Sequence, residues 1–535
     1  MTRPLLLLLA LPLVSASAQD VDAVFQRFDS THGPGCAVAV SRDGTEVFAS
    51  AYGMADLEHD VANTARTVFE PGSVSKQFTA AATILLALEG KLSLDDDIRK
   101  YIPELPDYGD VVTIRHLLNH TSGLRDWGAV AGIEGWPRTT RVHTHKHMLD
   151  IASRQLSLNY PPGEYYSYTN TGYNLQAVLV ERVSGMSFAE FTKQEIFEPL
   201  GMNRTEWRDD YRRVVKDRAI AYGPLSGEGY AMNMPFENVH GNGGLLTTVG
   251  DLLLFTHNLE TGALWGPEFI REMHTQGVLN SGRTIAYASG LFVGEYRGVR
   301  EVQHSGSTAG YRGYLARYPD QGVAVAVMCN VSSARAGQLA HGVADLYLTV
   351  EEPADTETEP AYAVSEDRLD QLVGRYVNQR THTLVFVTAH DGTMRLSGTA
   401  LQPTSETRFV VGANSIEFDP AEGQGRVGAV LTDESGDFVR LEPAEPFAPS
   451  GAALSAFEGS FRSDEAEVTY QMVVEDGVLV AKDRYGDTDP LSPLYPDAFR
   501  NSMGTILFRR DRGGKVTGLS LVQGRVWDLR FRRLR

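Results

Sequence analysis

The distribution of strand-like segments along the chain most constrains its fold. Apolar runs typical of strands occur at residues 35–40, 46–49, 314–318 and 322–328. The first two flank Asp43-Gly44, a hairpin signal, and we expect them to form an inner strand pair. A long, mainly helical insert separates the two groups. We therefore predict an α+β domain over residues 19–350, with an antiparallel sheet formed from both ends of this segment and flanked by helices.

One segment of this insert predicts a serine and a lysine at the start of a helix. After Pro71-Gly72, apolar residues recur with helical spacing, and Gly90 is suitably placed to end the helix. Ser73 then lies in the first turn near free backbone N–H groups, with Lys76 on the same side. Lys76 can accept the serine proton if burial lowers its pKa. An isolated Ser-x-x-Lys sequence, by contrast, is usually a cap and a solvated lysine.

Two later segments carry further polar side chains that can reach a cleft. Tyr168-Thr169-Asn170 lies in a polar, aromatic loop before an apolar helix. Such a loop either satisfies its own backbone or presents Tyr168 and Asn170 to a substrate. His304-Ser305-Gly306 follows a predicted strand, and its small residues allow a substrate backbone to approach closely. The alternative for His304 is a structural hydrogen bond at the strand end.

These three segments, in this order, resemble the signature motifs of the serine β-lactamase and penicillin-binding-protein family. The nearest branch contains class C β-lactamases, D-alanyl-D-alanine carboxypeptidases, related esterases and D-aminopeptidases. The resemblance extends over residues 20–345 and includes the Gly243-Gly244-Leu245 turn. It implies a β-lactamase/transpeptidase-like domain and catalysis through an acyl-enzyme.

The resemblance also implies a role for each polar side chain. Ser73 would be the nucleophile, and Lys76 would accept its proton or hold Tyr168 as a phenolate. Tyr168 would protonate the leaving group, and Asn170 would orient Lys76 and the substrate amide. Whether Lys76 or Tyr168 is the general base stays open at this point.

The third motif departs from most β-lactamases, which have lysine at the position of His304. Peptidase members share the histidine, so it favours peptide substrates, including D-amino-acid peptides and cell-wall fragments. We expect His304 to donate to Tyr168 and to titrate near neutral pH. In the same motif, Gly306 is predicted to bind substrate. The backbone N–H groups of Ser73 and Ser307 are predicted to form the oxyanion hole.

The C-terminal third contains an internal repeat of short alternating segments. Leu369-x-x-Leu372-x-Gly374-x-Tyr376 recurs as Leu454-x-x-Phe457-x-Gly459-x-Phe461. We predict an acidic linker over 351–364 and two small antiparallel all-β barrels over 365–446 and 447–535. A catalytic domain followed by two such barrels resembles D-aminopeptidases of the same family, in which the barrels border the active site.

The N-terminal segment and the charge predict where the protein acts. Residues 1–18 combine Arg3, an apolar run and Ala16-Ser17-Ala18, which predicts a secretory signal peptide and a periplasmic or secreted protein. No later segment has the length of a membrane anchor. The formal net charge of −19 argues against a nucleic-acid partner. We expect a small peptide or ester substrate, and the oligomeric state stays open.

The cysteine and histidine patterns say less about disulfide bonds and metal binding. Cys36 and Cys329 lie in strand-like runs, and we expect buried free thiols, with a disulfide as the alternative in an oxidising compartment. His143, His145 and His147 alternate, yet the following helical pattern should turn them apart. We therefore predict no metal and no cofactor.

Together these features predict an exported acyl-serine hydrolase of amide or ester bonds. The alternatives are an esterase or β-lactamase with the same site, or a non-catalytic protein that binds peptidoglycan or a peptide. The intact set of polar side chains argues against the non-catalytic alternative.

Overall fold

The computed structural model describes residues 18–350, 362–411, 414–420, 426–433 and 438–535. The predicted signal peptide, apart from Ala18, and most of the predicted acidic linker lie outside these residues. Within these ranges, no helix combines the length and the apolar character needed to cross a bilayer.

A six-stranded antiparallel sheet organises the first domain. Its strands are β1 (Cys36–Arg42), β2 (Thr45–Tyr52), β3 (Phe292–Tyr296), β4 (Val299–Thr308), β5 (Tyr311–Tyr318) and β6 (Val323–Cys329). The order β2-β1-β6-β5-β4-β3 confirms that both ends of the domain pair in one sheet. The expectation of two inner strands is wrong for β2, which forms one edge and exposes Val47.

Helices cover both faces of this sheet. The α-helices of the domain are Ala18–Phe25, Lys76–Leu88, Ile114–Leu118, Trp127–Ile133, His145–Ser153, Asn170–Ser184, Phe188–Thr192, Glu198–Leu200, Val249–Thr261, Gly266–His274 and Ala336–Tyr347. Short strands pair as Met54–Asp56 with Val61–Ala62, Glu206–Trp207 with Leu245–Leu246, and Tyr222–Pro224 with Tyr230–Met232.

Alternate residues of β1 enter two different cores, as the period of a strand requires. Val38 belongs to the core that includes residues of helices Ala18–Phe25 and Ala336–Tyr347. Ala39 belongs to the larger core, which contains most of helix Lys76–Leu88. The sheet is therefore buried on both faces, which explains why β1 is a continuous apolar run.

Cys36 and Cys329 form a disulfide, so the expectation of two free thiols is wrong. β1 and β6 are neighbouring antiparallel strands, and their register pairs these two residues directly, with Cα atoms 3.9 Å apart. The pairing joins positions 293 residues apart, and neither strand-like run shows which residue lies opposite which.

In its described residues, each copy of the C-terminal repeat folds as a short helix followed by nine antiparallel strands. The first copy contains helix Glu366–Leu372 and strands Gly374–Asn378, Leu384–His390, Thr393–Leu396, Thr399–Ala400, Gln402–Pro403, Arg408–Val411, Asn414–Phe418, Ala429–Thr432 and Phe438–Pro443. The second contains helix Gly451–Leu454 and strands Gly459–Ser463, Val468–Glu475, Val478–Lys482, Thr488–Pro490, Ser492–Tyr495, Ala498–Asn501, Gly504–Arg510, Val516–Gln523 and Val526–Arg533.

The two sheets have the same strand order and are nearly closed. In the first, the two edge strands are separated in sequence only by Leu401, and in the second only by Leu491. In each sheet, the strand that comes first in the chain pairs with the strand that comes last. These relationships confirm the prediction of two all-β barrels.

The second barrel packs directly against the helical part of the first domain. The buried guanidinium of Arg125 donates to Glu465 at 2.7 Å and to the carbonyl of Asp528 at 2.6 Å. The hydroxyl of Tyr470 donates to the carbonyl of Ile133 at 2.6 Å. These bonds fix the barrel beside the loop that precedes helix Trp127–Ile133.

Candidate active site

Ser73 lies in a 3₁₀ turn, Gly72–Ser75, that leads directly into helix Lys76–Leu88. The predicted helix start is thus observed as a tighter turn, with the α-helix beginning at Lys76. Gly72 has φ +56°, and a Cβ there would lie 2.5 Å from the backbone nitrogen of Ser307. Only glycine therefore permits both this conformation and the close approach of β4.

Lys76 lies at the centre of the polar site. Its Nζ lies within hydrogen-bond distance of Ser73 Oγ (3.1 Å), Asn170 Oδ1 (3.0 Å) and the carbonyl oxygen of Asn242 (2.7 Å). The structure thus brings together three side chains that the sequence predicts, Ser73, Lys76 and Asn170. The sequence did not indicate Asn242 as a site residue, because the pattern of its segment predicts only a glycine-rich turn.

The surroundings of Lys76 favour its neutral amine. Burial lowers the pKa of Lys76 well below its usual value, and the charges of Arg525 and Arg138 lower it further. Asp126 acts in the opposite direction without reversing the shift. Among the described residues, the three hydrogen-bond partners of Lys76 are all uncharged. A neutral Lys76 amine donates to Asn170 Oδ1 and to the carbonyl of Asn242, and its lone pair can accept from the Ser73 hydroxyl. The site can therefore hold a base next to the Ser73 hydroxyl.

Tyr168 is positioned by two side chains that accept hydrogen bonds from the backbone directly after it. Asp126 accepts from the backbone N–H of Asn170 at 2.8 Å, and His120 accepts from that of Thr169 at 3.2 Å. The rings of His120 and Tyr168 lie 4.1 Å apart. His120 thus holds the backbone next to Tyr168.

The hydroxyl of Tyr168 is buried and has no hydrogen-bond partner within the described part of the chain. Burial raises the pKa of Tyr168, and the nearby Ser73 hydroxyl offsets only part of this effect. At neutral pH the group is therefore a phenol that can give a proton. These two pKa shifts favour Lys76 over Tyr168 as the base.

His304 lines the same cleft but does not bond to Tyr168. Its Nε2 lies 3.0 Å from the hydroxyl of Tyr287, and its Nδ1 lies 2.6 Å from the carbonyl of Ser305. Burial lowers the pKa of His304 to about 3. The expectations of a bond to Tyr168 and of titration near neutral pH are both wrong, because the ring is buried and occupied by other partners.

Gly306 is required by the turn that carries Ser73. A Cβ at Gly306 would lie 1.8 Å from the carbonyl oxygen of Pro71 and 2.7 Å from the nitrogen of Ser73. Gly306 pairs with Gly313 of β5, which also contacts Pro71. β4 therefore runs directly past the turn that carries Ser73. The oxyanion hole formed by the N–H groups of Ser73 and Ser307 stays a prediction.

The cleft at Ser73 has a volume of about 510 Å³. Predicted residues lining it are Ser73, Tyr168, Asn170, His304, Gly306 and Ser307. Further lining side chains that the sequence did not indicate include Glu70, Arg138, Glu237, Phe292 and Arg525. Each of these lies outside the three motifs, and Arg525 lies more than 200 residues after the last of them. No local pattern could have assigned them to the site.

The three alternating histidines do not meet at one point, although the ring centres of His143 and His147 lie 6.0 Å apart. His143 bonds to the carbonyl of Trp136, and His147 caps helix His145–Ser153 at its start. His145 instead lies beside His240 and Glu181, with possible ligand atoms of the three residues within 4.8 Å of one another. The Nε2 of His145 is bonded to the backbone of His240.

Comparisons with known proteins agree with this geometry. A family model described as Beta-lactamase matches residues 21–348. A penicillin-binding protein of Bacillus subtilis is 29% identical over 452 residues, covering 78% of this chain and 96% of that protein. A D-aminopeptidase of Cereibacter sphaeroides is 26% identical over 539 residues, covering 94% of this chain and 97% of that protein.

A solved structure shows the same fold over most of the chain. The penicillin-binding protein homologue from Pyrococcus abyssi superposes with a TM-score of 0.56 at 24% identity, covering 87% of this chain and 98% of that one. The family match spans the sheet, its helices and every predicted site residue. The chain therefore belongs to the beta-lactamase family and is a serine hydrolase of that fold.

Proposed function

We propose that this protein is an exported hydrolase that cleaves an amide or ester bond in peptides containing D-amino acids. One observation carries the proposal: the Ser73 hydroxyl lies 3.1 Å from the amine of Lys76, whose pKa is lowered by burial. The names of the D-aminopeptidase relatives support the D-amino-acid class. The signal-like segment of residues 1–18 supports export.

In the proposed acylation step, Lys76 takes the proton of Ser73 as Oγ attacks the carbonyl carbon of the substrate. The carbonyl oxygen becomes negative and accepts from the backbone N–H groups of Ser73 and Ser307. Tyr168 gives its proton to the leaving nitrogen or oxygen as the bond to the carbonyl carbon breaks. The proton held by Lys76 then restores the Tyr168 hydroxyl, which leaves an acyl-enzyme and a neutral amine base.

Deacylation reverses these transfers with water as the nucleophile. Lys76 takes a proton from the water as its oxygen attacks the ester carbon of the acyl-enzyme. The bond to Ser73 Oγ breaks, and Oγ receives the proton held by Lys76, so that the free serine, a carboxylic acid and the neutral amine are formed. Asn170 holds the Lys76 amine through its Oδ1 in both steps.

Active-site labelling tests the nucleophile. A fluorophosphonate and a fluorescent penicillin should each label the wild-type protein, and Ser73→Ala should abolish labelling. Ser75→Ala is a matched control, because Ser75 lies in the same turn but bonds to the carbonyl of Gly72 at 2.6 Å. Labelling that persists in Ser73→Ala would exclude Ser73 as the nucleophile.

A kinetic panel tests the substrate class. Matched D- and L-aminoacyl amides, D-alanyl-D-alanine peptides, nitrocefin and nitrophenyl esters should be compared by kcat/KM with the purified protein. Preference for D-configured peptides over their L-counterparts supports the proposal. Hydrolysis of esters or nitrocefin alone would identify an esterase or a β-lactamase instead.

A further inference from the structure

A hairpin of the second barrel carries a cation into the catalytic cleft. The turn Gly524-Arg525 joins the last two strands of the barrel, Val516–Gln523 and Val526–Arg533. Arg525 lines the cleft together with Ser73. Its guanidinium carbon lies 5.0 Å from the centre of the Tyr168 ring, within the range of a cation–π contact.

The hairpin is held in this position through its backbone. The carbonyl of Arg525 accepts from the side-chain amide of Asn159 at 3.1 Å and from the N–H of Asp126 at 3.3 Å. Asn159 Oδ1 in turn accepts from the N–H of Trp527 at 3.0 Å. Three bonds between the barrel and the catalytic domain thus fix the turn, and the side chain of Arg525 is not needed for anchoring.

The other charged side chains of the cleft wall have strong partners. Arg138 forms a bidentate pair with Glu237, whose side chain is almost fully buried. Glu70, also in the cleft wall, accepts two bonds from Arg208 behind it, at 2.8 and 2.9 Å. These pairs neutralise their own charges and leave few donors or acceptors for a substrate.

Arg525 differs from these residues. Among the described residues, its one ion-pair partner is Asp126, at 3.6 Å. The Asp126 carboxylate already accepts from the N–H groups of Asn170 at 2.8 Å and of Ala129 at 3.1 Å. The side chain of Arg525 is 43% exposed. Its planar guanidinium therefore keeps free N–H donors at the cleft, in the form that binds a carboxylate with two parallel bonds.

We propose that Arg525 binds a carboxylate on the leaving-group side of the substrate. This inference rests on the proposed function, in which Tyr168 protonates the leaving group, because Arg525 lies over the Tyr168 ring. The preferred substrate then releases an amino acid with a free carboxylate, as in a carboxypeptidase reaction. A free ammonium group at the same place would face the positive charge of Arg525 and bind poorly.

Binding to an inactive variant tests the proposal without turnover. In Ser73→Ala, calorimetry should show that acetyl-D-alanyl-D-alanine binds at least about tenfold more tightly than its C-terminal amide, which has the same shape without the charge. Adding Arg525→Met should remove this difference, whereas adding Arg532→Met should not, because Arg532 is 61% exposed on the barrel and pairs with Asp464. Equal binding of acid and amide in Ser73→Ala would overturn the proposal.

Turnover provides a second readout. The ratio of kcat/KM for the acid to that for the amide should exceed about 10 in the wild type and approach 1 in Arg525→Met. Comparison within one variant cancels any change in the acylation chemistry. A ratio that stays unchanged in Arg525→Met would reject the carboxylate site. Absence of Ser73 labelling would reject the proposed function while the calorimetry still decides on Arg525.

Discussion

The hydroxyl of Tyr287 lies 3.0 Å from Nε2 of His304, and the direction of this hydrogen bond follows from the protonation of the imidazole. Nδ1 of His304 faces the carbonyl oxygen of Ser305, which can only accept, so Nδ1 carries the proton. Nε2 is then an acceptor, and Tyr287 donates to it. The histidine of the third motif is thus a neutral side chain bonded to a tyrosine that none of the three motifs contains.

Tyr287→Phe should destabilise the fold more than it affects the chemistry. The substitution leaves the buried Nε2 of His304 without a donor, which costs about 1–3 kcal/mol of unfolding free energy. Urea unfolding should detect this loss, and Ser73 labelling should persist. Tyr296→Phe is the control, because its hydroxyl bonds to Asp345 at 3.3 Å in an exposed region. An unchanged stability of Tyr287→Phe would show that the contact contributes nothing.

Tyr168→Phe should reduce the activity without lowering the stability of the fold. The hydroxyl of Tyr168 is buried without a hydrogen-bond partner in the described residues, so its removal should not lower the unfolding free energy. Loss of a general acid should reduce kcat/KM by about 10²–10⁴-fold. Kinetics and urea unfolding on the same preparation separate the two effects. Full activity in Tyr168→Phe would remove this phenol from the mechanism.

Arg525→Met should move the acid limb of the pH–rate profile to higher pH. Lys76 must be neutral to accept a proton, so kcat/KM rises as pH increases through the pKa of Lys76. The charge of Arg525 helps to lower that pKa, and its removal therefore raises it. Measurement of kcat/KM from pH 4 to 9 tests this shift. Arg530→Met, on an exposed side chain of the same barrel, should leave the limb in place.

The sequence predicts the sheet, the barrels and the three motifs because each leaves a local signal. Helical spacing beyond Gly72 places Ser73 and Lys76 on one side of a turn, and Gly374 and Gly459 each begin a barrel strand in equivalent positions. Such patterns depend only on residues close in the chain. They therefore predict helices, strands and the residues of a motif reliably.

Contacts between distant segments leave no such signal. The pairing of Cys36 with Cys329 depends on strand register, and the choice of Tyr287 as the partner of His304 depends on how two segments pack. The position of Arg525 depends on the docking of a whole barrel. The pKa of His304 also depends on burial, and neither the composition nor the motif shows how deeply the ring is buried.

Acid should destabilise the protein in part through His274. Burial lowers the pKa of His274 to about 3, whereas the unfolded value is near 6.5. Between these values the unfolded chain binds more protons, so stability falls as pH decreases from about 6.5 toward 3. Urea unfolding at pH 7 and 5 should show a loss about 2 kcal/mol smaller in His274→Gln than in the wild type. The exposed His59→Gln should not reduce the loss, since Asp56 raises the pKa of His59. An equal loss in wild type and His274→Gln would contradict the assignment.

Docking of the second barrel should depend on the ion pair between Arg125 and Glu465. Their side chains are 0% and 11% exposed, and their atoms lie 2.7 Å apart. Arg125→Met leaves a buried carboxylate without its cation, which should cost about 3–5 kcal/mol of unfolding free energy. Glu465→Gln should cost less, because the amide oxygen can still accept from Arg125 and from the N–H of Leu156.

Urea unfolding of the two variants tests this pair against an exposed one. Arg182 and Glu104 form a comparable contact at 2.6 Å with side chains 34% and 45% exposed. Because water screens this pair, Arg182→Met should cost at most about 1 kcal/mol. If Arg125→Met lowered the unfolding free energy no more than Arg182→Met, burial of the ion pair would not be what holds the barrel. The hairpin that carries Arg525 would then depend on its own backbone bonds to Asn159 and Asp126 alone.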